Sequence, residues 1–436
     1  MRLKKRVRRA LARLGRYNPP HDLHVAPTGD DRATGAADDP LRTAQRALDI
    51  LCPPFAPPQQ WDHPRTVWVH GDLKENLVKQ PHRGAALILQ AAQPLTQTRT
   101  QVGAVTTLTG FKSRKTLPLD AGASLDGWFV AGPNPDQYGH AFAAGKSHTV
   151  VEAIGAAVEI AARVVDPVFT GGAELTFTRP TQTWTMPDLP AGEFGPLMPR
   201  ILNLGGPLIV RDFTVSGLDA TGFAGKRQNL VAGTGIPGRE GGLDLVTFDR
   251  CLIQSFDRFM EGAPSCLFNA CALDFGSAIT KGAGWLRFTS CHITTSSGEW
   301  QIAQTRRVEF DGCQFERLAG TTNKLFVVGP GYTTMRGVDS RGNMDFLFHG
   351  ADFNLVDVSI QDAGNTAIRA LRGSRGSVQN VTGSPNNLYG LEIDSLSRVT
   401  ATGTNTLTGN SGEVLVGGTA KLWTDAPVTV GLAVLE

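Results

Sequence analysis

The chain alternates apolar and polar positions over short stretches that restart after every turn. Residues 246–248, 286–288 and 308–310 each carry two apolar side chains separated by one polar residue. This period of two is typical of a strand with one buried face. Two turn-forming residues follow, then Cys and a further apolar residue. The unit recurs every 20 to 25 residues from about residue 200 to the C-terminus, which predicts an all-β, right-handed parallel β-helix.

The clearest copies of this unit predict two columns of stacked interior side chains. Because coils lie about 4.8 Å apart, we expect the phenylalanines to form one column and the cysteines the next. Cysteine is small and apolar, so it suits an inward position just past a corner, and its spacing here is not a disulfide or zinc pattern. The strong copies pair Phe248 with Cys251, Phe268 with Cys271, Phe288 with Cys291 and Phe310 with Cys313, and weaker copies start at Val210, Met335, Leu355, Val378 and Val399.

The N-terminal half of the chain is less regular. Residues 1–16 place their apolar side chains on one helical face, and residues 40–52 have the pattern of a short helix. Strands are expected at 66–70 and 85–90, and the apolar run 148–165 is typical of a helix. We therefore predict a basic amphipathic arm (1–21), an N-terminal cap with the first coils (22–99), an inserted mixed module (100–199) and the rod (200–436).

Charge is concentrated in the arm. The chain has a net charge of +2, but residues 1–16 carry eight basic side chains and no acid, which leaves −6 for the remaining 420 residues. Such a body is a poor partner for nucleic acid. No apolar stretch approaches the roughly 18 residues of a transmembrane helix, and the N-terminus lacks the apolar segment of a secretory signal. No metal or cofactor motif stands out, so we expect neither group.

One segment resembles a known capping motif. Residues Val25 to Gly35, with Pro40, Thr43 and the helix to Leu51, resemble the start of many pectate-lyase-like β-helix proteins. In that family a V-x-x-x-G-x-D-x-x-x-G turn, then P-x-x-T and a short helix, cap the rod. This chain carries Gly-Asp-Asp with a slightly altered spacing, and residues 70–77 are similar to the family's first-coil turn.

The resemblance implies a particle-borne role. Such openings are common in virion appendages of tailed phages and of gene transfer agents, namely tailspikes and head spikes, and their rods usually associate as trimers. The family's enzymes would imply further chemistry. However, the calcium-binding Asp cluster and Arg base of pectate lyases, and the N-T-D, D-D, G-H-G and R-I-K set of polygalacturonases, are not found. Fold alone does not supply an activity.

Two acidic residues on an outward column are candidate catalytic groups. Asp274 and Glu316 are two coils apart, so strand spacing puts them about 9.6 Å from each other, near the upper end for an inverting glycosidase pair. His292 is expected between them. The alternative is that these residues are only part of a solvated polar face.

Aromatic side chains near corners are candidate platforms for sugar rings. These are Trp285, Trp300, Tyr332 and Tyr389. Packing in the core or at corners is the alternative for each of them. It applies most directly to Trp300, which shares its phase with the apolar Ile302.

The basic arm is the candidate anchor. Its first cations could dock on other virion proteins, lie on an acidic membrane surface, bind nucleic acid or remain a solvated tail. We favour docking on a larger assembly, with no nucleic acid and no membrane contact. The predicted anchoring residues are Arg2, Lys4, Lys5, Arg6, Arg8 and Arg9.

The sequence thus predicts a spike or fibre component of a phage-like particle. The arm would attach to the particle, and the rod would bind host capsule or cell-surface glycan, in a homo-oligomer for which the resemblance implies three subunits. The chain would be made in the bacterial cytoplasm and carried on the particle after release. One alternative is a polysaccharide lyase or glycoside hydrolase of the tailspike depolymerase type. Another is a secreted carbohydrate-active protein without a particle.

Overall fold

The computed structural model describes residues 20–435 with gaps at 55–56, 121–123, 132–146, 164–171, 186–199, 218–228, 233–244, 255, 257, 262–264, 276–277, 282–283, 296–298, 318–322, 343, 387, 395, 410–411, 418 and 425–431. The predicted arm helix (1–16) lies outside these residues. Most of the Gly-rich segment 219–242 also lies outside them, except for residues 229–232. The described part is a parallel β-helix of about 11 turns. Within it, no helix has both the length and the apolar character needed to span a membrane.

Each coil of the rod contributes to two parallel sheets. Among the described residues the larger sheet has 22 strands, because two strands of a coil belong to it on either side of a corner. Strands before the corner are β1 (Asp22–Val25), β3 (Arg65–Val69), β7 (Leu87–Ala91), β17 (Leu208–Arg211), β20 (Val246–Asp249), β23 (Cys266–Asn269), β26 (Trp285–Thr289), β29 (Arg307–Asp311), β36 (Arg375–Gln379), β39 (Arg398–Thr402) and β42 (Lys421–Thr424).

Strands after the corner are β4 (Leu73–Lys74), β15 (Gln182–Thr185), β18 (Phe213–Ser216), β21 (Leu252–Gln254), β24 (Ala272–Phe275), β27 (His292–Thr295), β30 (Gln314–Arg317), β37 (Thr382–Asn386) and β40 (Thr406–Gly409). Two longer strands, β32 (Tyr332–Arg341) and β34 (Asp352–Gln361), run through the corner. The corner is therefore a local bend in an otherwise continuous hydrogen-bonded surface.

The second parallel sheet has 12 strands and closes the rod. They are β5 (Leu77–Lys79), β16 (Ile201–Asn203), β19 (Asn229–Ala232), β22 (Arg258–Glu261), β25 (Ala278–Lys281), β28 (Glu299–Ala303), β31 (Asn323–Val328), β33 (Met344–His349), β35 (Ile368–Leu371), β38 (Tyr389–Ile393), β41 (Gly412–Gly417) and β43 (Leu432–Leu435). Two short strands, β2 (Gln59–Trp61) and β6 (His82–Gly84), pair beside the first coils.

The predicted phenylalanine column is confirmed by the strand register. Phe248 pairs with Phe268, Phe268 with Phe288, and Phe288 with Phe310. Their rings stack with centroids 5.1, 4.8 and 4.9 Å apart. All four are at most 1% exposed. The column continues to Met335, Leu355 and Val378 as predicted, but its next member is Ala401, two residues beyond the predicted Val399.

Left-handed backbone at each corner turns the chain and aims the following residue inward. Arg250, Ala270, Ser290 and Gly312 have φ values of 52°, 47°, 53° and 65°. The residues that follow them are the predicted cysteines, which are free and buried. Each cysteine Sγ lies 3.4–3.5 Å from a carbonyl oxygen of the preceding coil. The cysteine column is therefore part of the rod interior, where thiols are inert.

The N-terminal cap is held by carboxylates that bind the start of helix α1 (Ala44–Leu51). Asp31 accepts a hydrogen bond from the Thr43 amide at 2.9 Å, and Glu75 accepts from the Ala44 and Gln45 amides at 2.7 and 3.0 Å. These acceptors satisfy orphan donors of the first turn. Glycine is required at position 29, because a Cβ there would lie 2.3 Å from the Leu41 carbonyl oxygen. The two segments that carry the family resemblance thus meet in one capping network.

The inserted module is a seven-stranded antiparallel sheet with its own core. The predicted helix over 148–165 is wrong, because residues 147–161 form two strands joined at Gly155 with φ 59°. The module starts before residue 100, and β15 already belongs to the rod. Its strands are β8 (Leu95–Thr100), β9 (Thr106–Thr107), β10 (Arg114–Pro118), β11 (Phe129–Ala131), β12 (Ser147–Ile154), β13 (Ala157–Ala161) and β14 (Glu174–Arg179).

The stacked column generates a stability prediction. Phe288→Ala removes a ring that contacts Phe268, Phe310 and Trp300, so we expect a loss of about 3–5 kcal/mol in the free energy of unfolding. Urea denaturation followed by circular dichroism measures it. Phe326→Ala, on a half-buried outward position, is the matched control and should cost about 1 kcal/mol or less. Equal losses in the two variants would contradict the column's role.

Candidate functional site

The predicted carboxylate pair lies on one outward column of the rod. Asp274 pairs with Thr294, and Thr294 pairs with Glu316, so two coil steps separate the acids as predicted. The full column, here called the carboxylate column, is Gln254, Asp274, Thr294, Glu316, Arg341 and Gln361. Whether these acids act catalytically stays a prediction.

Glu316 is held in its ionised form by its neighbours. Its Oε2 lies 3.1 Å from His292 Nε2, which occupies the adjacent outward column one coil below. This hydrogen bond, together with the charges of His292, Arg114 and Arg341, holds the pKa of Glu316 below its usual value although burial opposes the shift. A carboxylate in this state can accept a proton at neutral pH. It is a poor general acid, since that role needs a raised pKa.

Asp274 occupies a different environment. Its Oδ1 is buried and has no hydrogen-bond partner within the described residues. An unpaired buried carboxylate oxygen costs free energy. Asp274 is therefore a half-buried carboxyl group in the same column as Glu316, with one oxygen that no described residue satisfies.

The module docks on the rod through one buried acid, Asp339. Its carboxylate accepts hydrogen bonds from the backbone amides of Lys112, Ser113 and Arg114 at 2.6, 2.6 and 2.8 Å. The Gln314 side-chain amide donates at 3.0 Å, and the Ser359 hydroxyl also donates. We call this set the Asp339 tether. The pairing spans more than 220 residues of sequence, so no local pattern could have revealed it.

The carboxylate column follows the seam between module and rod. Gln361, at the C-terminal end of the column, donates a hydrogen bond to the Gly110 carbonyl of the module at 3.1 Å. Lower down, His148 Nδ1 of the module lies 2.9 Å from Ser290 Oγ of the rod. Arg114 pairs with Glu152 and Glu159 inside the module, and its charge also reaches Glu316. The seam therefore combines acids, a histidine and an arginine over two coils.

The four aromatic residues predicted as platforms for sugar rings differ in how exposed they are. Tyr332 is 43% exposed, and Tyr389 is half-buried. Trp285 is half-buried, with the Arg307 guanidinium 5.9 Å from its ring centroid. The prediction of Trp300 as a platform is wrong, because this residue is 1% exposed and packs edge-on against Phe288 and Phe310.

An exposed column on the strands before the corner was not predicted as a unit. Its members are the first residues of β26, β29, β32, β34, β36, β39 and β42. They point outward because the next residue of each of these strands is buried or turned toward the interior. Trp285 is half-buried and the others are exposed. We call it the outer column, and it consists of Trp285, Arg307, Tyr332, Asp352, Arg375, Arg398 and Lys421.

Trp423 extends this face and was missed by the sequence reasoning. It is 47% exposed and lies two residues after Lys421 on strand β42. It pairs with Thr400, which pairs with Ser377. Trp423 follows the last recognisable repeat, so the repeat pattern did not predict whether its side chain faces the interior or the solvent.

Some predicted features fall where the structure gives no test. The anchoring cations Arg2, Lys4, Lys5, Arg6, Arg8 and Arg9 lie outside the described residues. Within the described part, no group of three metal-ligating side chains comes together. The predictions of an anchoring arm, of no metal and of no cofactor remain predictions.

Comparisons with known proteins find only distant structural similarities. No protein-family model and no curated protein matches the chain. Among solved structures, a lacto-N-biosidase of glycoside hydrolase family 136 from Eubacterium ramulus is 9% identical over 93% of this chain and 68% of its own, with a TM-score of 0.36. The tailspike protein gp49 from Pseudomonas phage LKA1 is 11% identical over 86% and 74%, with a TM-score of 0.27. A glycoside hydrolase is 10% identical over 93% and 96%, at 0.29. TM-scores this low carry no argument about fold or activity.

The Asp339 tether generates a second prediction. Asp339→Asn replaces an acceptor oxygen with an amide donor that faces the module amides. We therefore expect the free energy with which the module docks on the rod to weaken by about 1.5–3 kcal/mol or more. Hydrogen exchange at the amides of residues 112–114 should accelerate, while exchange at the Phe column stays slow. Asp352→Asn, at an exposed outward position, is the matched control. Unchanged exchange at 112–114 would mean that Asp339 does not hold the module.

Proposed function

We propose that the chain is a spike component of a phage-like particle, and that the outer side of its rod binds host cell-surface polysaccharide. The observation that carries the proposal is the outer column. It places seven side chains in consecutive register along the rod, six of them exposed. Six steps of about 4.8 Å give roughly 29 Å, which suits an extended polymer better than a small molecule.

The chemistry of the column supports a carbohydrate. Tyr332 offers an exposed ring, and Trp285 offers a ring beside the Arg307 guanidinium. Aromatic faces pack against the apolar face of a sugar ring, while charged and hydroxyl groups around them satisfy its hydroxyls. Next to the outer column, the half-buried Asn354 and Ser377 lie in register and add two further polar groups, with the Ser377 hydroxyl donating to Asn354 Oδ1 at 2.8 Å. Polar groups repeated at a constant spacing are suited to a repeating ligand.

The separation of charge supports attachment through the N-terminus. The first 16 residues hold eight cations, whereas the rest of the chain is net acidic. A cationic arm therefore suits an acidic surface on a neighbouring particle protein, and the rod would then project outward. Three subunits remain the expected assembly.

Deletion of residues 1–16 tests this attachment. We expect the truncated chain to be absent from purified particles, because the cationic contacts are lost, while its polysaccharide binding is unchanged. Quantitative immunoblotting of particle fractions measures occupancy. A variant with the arm arginines changed to lysine keeps the charge and is the control. Full occupancy without the arm would contradict the attachment role.

The alternative function is depolymerisation, and the seam favours it. Glu316 is an ionised carboxylate beside His292, and Asp274 has an unpaired oxygen on the same column two coils away. If the chain cleaves glycan, Glu316 would act as the base that activates water, and Asp274 would be the second carboxyl group of the pair.

Fragment release from bacterial capsule preparations tests the alternative. Glu316→Gln and Asp274→Asn should each lower the rate by about 100-fold or more, whereas Asp62→Asn, an exposed substitution in the cap, should leave it unchanged. Reducing-end assays measure the rate, and binding is scored separately. Cleavage that survives both seam substitutions would exclude these acids as the catalytic pair.

A further inference from the structure

The C-terminal end of the outer column, here called its upper end, carries three successive cations. Arg375 pairs with Arg398, and Arg398 pairs with Lys421, so their side chains leave adjacent strands at directly opposite positions. All three are exposed, and none forms an ion pair with any residue that the structure describes. The nearest acid in the column is Asp352, in register below Arg375.

This arrangement is unfavourable unless something compensates it. Like charges directly opposite each other on neighbouring strands destabilise a sheet. Elsewhere in the rod, several arginines are matched with acids in adjacent coils. Arg211 pairs with Asp249 at 2.8 Å, and Arg369 pairs with Glu392 at 2.7 Å. The upper outer column departs from this matching, which indicates a place for an external anion.

An aromatic and two hydroxyls lie beside the cations. Trp423 is on the same strand as Lys421 and is 47% exposed. Thr400 and Ser377 continue its row toward the lower coils, parallel to the cations. The surface therefore combines a row of positive charges with an adjoining row that has a flat ring and hydrogen-bonding groups. We call these six residues the cationic patch.

We propose that the cationic patch binds an acidic polysaccharide, one whose repeating units carry carboxylate or phosphate. This inference rests on the proposed polysaccharide-binding function and narrows it to anionic glycans. Cations spaced about 4.8 Å apart can meet acidic groups along one chain, while Trp423 packs against a sugar ring. The net charge of −6 outside the arm does not oppose this, because screening limits its effect to about 8 Å at physiological salt.

A polysaccharide fits the patch better than other polyanions or a second protein. Nucleic acid is recognised by wider basic surfaces with several stacking rings, whereas the patch has a single row of three cations and one ring. A stable protein interface needs a fully desolvated apolar centre, whereas this surface is a line of charges and hydroxyls. Both alternatives are outcomes of the test.

The test compares two triple variants that change net charge equally. Arg375→Gln, Arg398→Gln and Lys421→Gln together remove the patch charges, and Arg32→Gln, Arg42→Gln and Arg83→Gln remove three exposed cations at the cap end. Binding of the full chain to polygalacturonate, poly(glycerol phosphate) teichoic acid, dextran and a 20-nucleotide oligo-dT is measured by biolayer interferometry at 0.15 M salt. Molecular mass is measured alongside, and Arg398→Gln alone replaces the triple variant if that one does not fold.

We expect the wild type and the cap-end variant to bind polygalacturonate, teichoic acid or both, and the patch variant to bind at least about 10-fold more weakly. Binding of only one of the two identifies carboxylate or phosphate as the recognised group. Trp423→Ala should weaken binding several-fold without changing its salt dependence, since stacking involves no counterion release.

Other results would overturn the inference. These are equal binding by the patch variant, an equal loss in the cap-end variant, oligo-dT bound as tightly as the glycans, or a change in molecular mass that makes the patch a subunit interface. Binding of dextran or of a neutral capsule that the patch variant retains would overturn the acidic-glycan inference but leave the proposed function standing. Absence of binding to every polysaccharide and capsule preparation would instead contradict the proposed function itself.

Discussion

In-register pairing of each coil with the next is the interaction on which the rest of this structure depends. Because side chains alternate across a strand, one register fixes both the inward and the outward columns. The four phenylalanines stack only because β20, β23, β26 and β29 pair without a shift. The same alignment puts Arg375, Arg398 and Lys421 in one row. A slip of one residue would exchange the core face for the surface face along the whole strand.

This dependence explains which features could be predicted from the sequence. The repeat fixed the phase of each strand, so the Phe and Cys columns and the spacing of Asp274 and Glu316 follow from it directly. The short helix predicted over 40–52 is observed over 44–51, because a proline near the first turn is a local signal for the start of a helix. Trp300 could be assigned to the core only by its phase with Ile302, and the structure confirms that alternative.

The features that were missed depend on contacts distant in sequence. Strand β12 packs on the module core on one side, and His148 and Thr149 face the rod. A strand covered on both sides has an apolar run without alternation, and periodicity cannot distinguish such a run from a helix. The Asp339 tether joins residues 112–114 to the rod and has no signal in either segment. Net charge also gave no sign of the row of cations near the C-terminus, because the 420 residues that follow the arm sum to −6.

The coil ladder passes the module without interruption. Leu87 of β7 pairs directly with Leu208 of β17, and Gln90 donates a hydrogen bond to Asp212 at 2.8 Å, although about 120 residues of chain separate them. For the pairing of the coils, the insertion therefore counts only as a long loop. The free-energy cost of closing a loop depends weakly on the length of the loop. A domain inserted in this way, at the corner between β7 and β15 of a single coil, can be lost, enlarged or replaced by another sequence without altering the register of the coils on either side. The rod would then be the inherited frame, and the seam beside Glu316 the part free to diverge from one relative to another.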